Sequence, residues 1–141
     1  MYDSILVATD GSDNAATAVD HAVELARQLE RPLYGLAVVD TRTAYDSGIV
    51  DPEEVRARQH ERAASALEAL ETRAAEAGVE AETTIRTGVP YEEIIAYATD
   101  NDLSVIVVGS RGRSGFREAV LGSTADALVR LATQPVLVVD A

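Results

Sequence analysis

Apolar residues in this chain follow two rhythms, short unbroken runs and stripes at helical spacing, and the two alternate along its length. Ser4-Ile5-Leu6-Val7-Ala8-Thr9 is a nearly continuous apolar run, the pattern of a strand covered on both faces. Asp10-Gly11-Ser12-Asp13 is a turn, with Ser12 or Asp13 placed to cap a helix. Val19, Val23 and Ala26, with Ala22 and Leu29 alongside, predict that helix over residues 13–30, broken by Pro32. Leu33–Val39 is the second strand, and the polar residues 40–52, with Gly48 and Pro52, read as a loop. Glu53–Ala77 carries Val55, Ala63, Leu67, Leu70 and Ala74 on one face, a long helix stopped at Gly78. Val79–Thr87 alternates as a half-exposed strand does. Pro90 opens a helix with Ile94, Ile95 and Ala98, and Leu103–Val108 is the fourth strand. Leu121, Ala125, Leu128 and Ala132 mark the last helix, and Val136–Val139 the last strand.

Strands joined by helical crossovers imply a parallel sheet with helices on both faces. The expected fold is α/β, a doubly wound five-stranded parallel sheet of order 3-2-1-4-5 with four helices, in one domain over residues 1–141. In that order the connections after the first and fourth strands leave in opposite directions, and a cleft opens between their carboxyl ends. The Asp10 turn and the segment after Val108 are thereby expected to face each other.

That second segment, Gly109-Ser-Arg-Gly-Arg-Ser-Gly-Phe-Arg-Glu-Ala-Val-Leu-Gly-Ser-Thr124, carries the chemistry. Gly109, Gly112 and Gly122 fall in the spacing G-x2-G-x9-G, closed by Ser123 and Thr124, and Arg111, Arg113 and Arg117 make it locally basic. A glycine-rich loop that leaves a strand and enters a helix suits an anion, above all a phosphate. Gly109 is expected where the backbone turns sharply, and Gly112 and Gly122 where main chain approaches a ligand. Ser123 and Thr124 offer hydroxyls and amides near a helix start, and Arg111 a charge-assisted contact. A plain surface loop whose glycines only make turns is the competing account. Asp10 could hold a ribose hydroxyl, the base or a hydrated metal, or simply make an Asx turn before Gly11. Val38 and Val39 could read an adenine edge through their backbone, or merely end a buried strand.

Composition sharpens the picture by exclusion. The 141 residues carry a net charge of −12, which repels nucleic acid and anionic lipid, and the 4% aromatic content gives no stacking platform for single strands. There is no cysteine, hence no disulfide or thiolate metal site, and no apolar run long enough to span a membrane. Met1-Tyr2-Asp3-Ser4 lacks a basic n-region, so a cytoplasmic protein is expected. All twelve cations are arginine, and an acidic, lysine-free surface is expected of a halophilic protein. Without lysine there is no Walker A loop and no receiver-domain lysine, and Asp-Gly-Ser-Asp after the first strand is not a dinucleotide fingerprint. A flavin site lacks stacking partners beyond Tyr45 and Tyr91. His21 and His60 sit in helices, where surface positions are expected.

G-x2-G-x9-G-S/T after an apolar strand, followed by a helix and Gln134-Pro-Val-Leu-Val-Val139, together with the opening Ile5-Leu-Val-Ala-Thr-Asp-Gly-Ser12, resembles the universal stress proteins over nearly the whole chain. The resemblance implies a flavodoxin-like, adenine nucleotide hydrolase-like fold and, for the branch with this glycine spacing, binding of ATP (or AMP or ADP) with Mg2+ or Mn2+ nearby. The nucleotide-binding set it implies is Thr9, Asp10, Val38, Val39, Gly109, Arg111, Gly112, Gly122, Ser123 and Thr124, with Asp10 near the metal. It also implies a homodimer through Val136–Val139, whose apolar edge needs cover, and a stress-response regulator with little or no catalysis. A nucleotide-free dimerisation module and a slow ATPase that uses Asp10 and a metal are the alternatives.

Overall fold

A computed structural model describes residues 2–42, 51–111 and 121–140. Strands β1 (Ile5–Ala8), β2 (Leu33–Asp40), β3 (Ala81–Gly88), β4 (Val105–Gly109) and β5 (Val136–Val139) alternate with helices α1 (Asp13–Leu29), α2 (Pro52–Glu76), α3 (Pro90–Asp100) and α4 (Ser123–Leu131). All pairings are parallel and the order is β3-β2-β1-β4-β5, as the crossover pattern required. Central strands β1 and β4 are buried along their whole length, which is why they read as unbroken apolar runs.

Alternate residues of these strands face two cores. Ile5, Val7, Leu33, Val105 and Val107 meet the apolar faces of α1 and α2, including Ala22, Val23, Leu67 and Leu70. Leu6, Leu36, Ile106 and Val108 meet Ile94 and Ala98 of α3 and Ala125 and Leu128 of α4. So α1 and α2 cover one face of the sheet, and α3 and α4 the other.

Helix ends follow local chemistry, and several correct the periodic reading. Ser12 rather than Asp13 caps α1, its side chain accepting from the Ala15 amide. The helix stops at Glu30 in the left-handed conformation (φ 55°), two residues before Pro32, so the proline is not the breaker. Asp51 caps α2 and Pro52 is its first residue, not loop, because proline lacks only an amide that the first turn cannot use. Asp40 ends β2 instead of opening a loop. Leu121 stands outside α4, which begins after Gly122.

Candidate functional site

Strands β1, β2 and β4 end side by side, and a cavity of about 440 Å3 opens over their carboxyl ends. Its walls include Thr9 and Asp10 after β1, Val38 and Val39 of β2, Gly109 and Arg111 at the end of β4, and Gly122, Ser123 and Thr124 at the start of α4. Nine of the ten candidate residues therefore share one cavity; Gly112 lies outside the described residues.

The β1–α1 turn is tied by its own side chains. Thr9 Oγ1 accepts from the Gly11 amide at 3.2 Å, and Asp10 Oδ1 accepts from the Ser12 amide at 2.9 Å, an Asx turn. Gly11 completes it with φ 80°, a conformation that favours glycine. Asp10 thus makes the turn and also stands in the cavity wall. Among the described residues no three acidic, histidine or cysteine side chains gather to hold a metal. Asp10 therefore fits a Mg2+ or Mn2+ only as one ligand to an ion carried by phosphates.

The β4–α4 wall holds two surprises. Gly109 has no left-handed backbone, so the sharp turn expected of it is not its reason for being glycine. A Cβ there would overlap Asn14 Oδ1 and lie 3.1 Å from the Asn14 carbonyl oxygen. Asn14, buried in the first turn of α1, accepts the Arg111 amide at 2.8 Å through that same Oδ1. The glycine lets α1 close onto the strand end and fix where the chain goes next. Asn14 was missed because an asparagine at a helix start reads as a cap.

Gly122 is the N-cap of α4, but its own amide is committed to the Ser110 carbonyl at 2.7 Å. It cannot also donate to a ligand. With no side chain on its cap, α4 leaves its first amides, those of Ser123 and Thr124, without intrahelical partners beside the cavity. Ser110 is buried; its hydroxyl donates to Asp140 Oδ1 at 2.8 Å, and the Arg111 guanidinium meets the same oxygen at 3.2 Å. The β4 end is thus held from α1, from the end of β5 and from α4.

The rim comes from residues outside the expected nucleotide-binding set. Asp40 receives Arg42 Nε and NH2, each at 3.0 Å, one on each carboxylate oxygen. Burial pushes the Asp40 carboxyl up, but the Arg42 bonds and charge outweigh it and hold the group below the usual aspartate range. Gln59 and Arg62 of α2, and Pro90 and Ile94 of α3, complete the enclosure. His21 and His60 are exposed on their helices, as expected.

A cavity at the switch between β1 and β4, with an uncapped helix end in its wall, is where open α/β proteins hold small anionic ligands. The chain belongs to the universal stress protein family, whose family model matches residues 1–140. Universal stress protein YxiE of Bacillus subtilis is 40% identical over 99% of both chains. The solved structure of MJ0577 from Methanocaldococcus jannaschii superposes with a TM-score of 0.86 at 28% identity, covering 100% of this chain and 97% of that one. A universal stress protein of Archaeoglobus fulgidus, solved in complex with dAMP, gives 0.73 at 25% identity, covering 98% of each.

Proposed function

We propose that this chain is a cytoplasmic, single-domain ATP-binding regulator of the stress-response type, with little or no catalysis. The observation that carries the reading is the convergence of the β1 turn, the β2 end and the bare N-terminus of α4 on one cavity. Adenine would lie against Val38 and Val39, Asp10 would face the nucleoside or a phosphate-borne Mg2+, and the Ser123 and Thr124 amides would hold phosphate. The dAMP complex of the Archaeoglobus relative supports an adenine nucleotide here. No nucleic-acid partner is proposed. Among the described residues no helix is long and apolar enough to cross a membrane. Leu137 of β5 and Val129 and Leu131 of α4 are exposed, which supports a homodimer built on the β5 edge.

Isothermal titration with Mg-ATP tests the reading. Saturable binding is expected, and no binding at millimolar nucleotide rejects it. Gly122→Val, which sets a branched side chain in the cavity wall, should remove binding while the melting temperature stays within a few degrees.

A further inference from the structure

A second hollow adjoins the nucleotide cavity. Helix α1 covers β1, β4 and β5, while α2 covers β2 and β3; Asp20 and Arg73 join the two helices in an ion pair at 3.0 Å, and the small residues Ala16, Ser65, Ala66 and Ala69 stand in the walls of the gap between them. They leave a groove of about 630 Å3. Thr9 and Arg62 line both the groove and the cavity, so Arg62 stands at the junction.

Arginine charge in the cavity is unevenly spent. Arg42 is paired with Asp40, and Arg111 with Asp140. Arg62 makes no ion pair among the described residues. Glu61, its neighbour in the chain, lines the groove and not the cavity. In a protein of net charge −12, an unneutralised guanidinium in a ligand cavity is a focus for an anionic group. The other focus is the bare end of α4. The two stand on opposite sides of the sheet, because α2 packs on one face and α4 on the other. A single phosphate chain that leaves the ribose in one direction meets one focus; a nucleoside with phosphates on two hydroxyls meets both.

We infer that the cavity takes an adenosine phosphorylated at both its 5′ and 3′ positions, with Arg62 as the specificity-determining residue for the second phosphate. This rests on the nucleotide reading above. The two isomers 5′-ADP and adenosine 3′,5′-bisphosphate have the same composition and differ in phosphate placement; the bisphosphate carries about one more negative charge near neutral pH, so a charge-loss control elsewhere on α2 separates placement from bulk charge. Calorimetric titration of the full chain with both, and with 5′-AMP, is the experiment. The bisphosphate is expected to bind at least about tenfold tighter than 5′-ADP, the size of one charge-assisted contact. Arg62→Gln should abolish that preference, bringing the two isomers to within about twofold of each other. Arg56→Gln, the same charge loss on the same helix but lining neither hollow, should keep it. Equal or tighter binding of 5′-ADP, or a preference that survives Arg62→Gln, overturns the inference and leaves the nucleotide reading standing. Absence of binding by all three nucleotides overturns both.

Discussion

Replacing Gly109 with alanine tests whether that glycine serves packing rather than ligand approach. The added methyl overlaps Asn14 Oδ1 and lies 3.1 Å and 3.2 Å from the Asn14 carbonyl oxygen and carbon. The side chain can swing away, but only by releasing the Arg111 amide it holds at 2.8 Å. Leaving a shielded amide without its acceptor costs about 1–3 kcal/mol. Crowding α1 against the strand adds about 1–3 kcal/mol. The expected loss is therefore about 3 kcal/mol, or roughly 10 °C in Tm for a chain of this size. Urea and thermal melts by circular dichroism read it directly. Because the overlap with Oδ1 and the lost Arg111 bond pass through one side chain, while the carbonyl crowding remains, Asn14→Ala and Gly109→Ala should be sub-additive by about 1–2 kcal/mol in a double-mutant cycle. Additivity within about 0.5 kcal/mol, or a single-mutant loss below about 1 kcal/mol, refutes the packing account.

Other expectations follow from the same contacts. The Asp40 carboxyl, held low by Arg42, should titrate by NMR below the usual aspartate value of about 3.9, and Arg42→Gln should raise it. A depressed folded pKa means that its stabilisation is complete above the unfolded value and disappears as pH falls through the folded one; wild type and Arg42→Gln should therefore converge in stability at the acid end. Leu137→Lys on the β5 edge should shift sedimentation towards monomer with little change in fold, and an unchanged mass would count against that edge as the dimer seam. The melting midpoint should rise in molar KCl as salt screens the −12 charge, and a flat or falling midpoint dismisses the halophile expectation.

Much of this architecture was readable from residue order. The runs Ser4–Thr9 and Leu103–Val108 read as strands shielded on both sides, and such runs with helices between them imply a parallel sheet. Placing the Asp10 turn opposite the Gly109 segment needed only the rule for where crossovers reverse. What stayed hidden was long-range. Asn14 meets Arg111, and Ser110 meets Asp140, across separations of 97 and 30 residues, and no local pattern signals either. Gly109 was found for the wrong reason, since a glycine required by a neighbour's bulk looks the same in sequence as one required by a turn. Arg62 was passed over because an exposed helix arginine has no periodic signature, and only the fold brings it to the cavity.

The bond from the Gly122 amide to the Ser110 carbonyl staples two points twelve positions apart in the chain. Ser110 is tied in turn to Asp140, and its neighbour Arg111 to Asn14, so the start of α4 takes its place from β4, α1 and the end of β5 together. A disturbance at any one of these distant points would thereby reach the Ser123 and Thr124 amides without touching them.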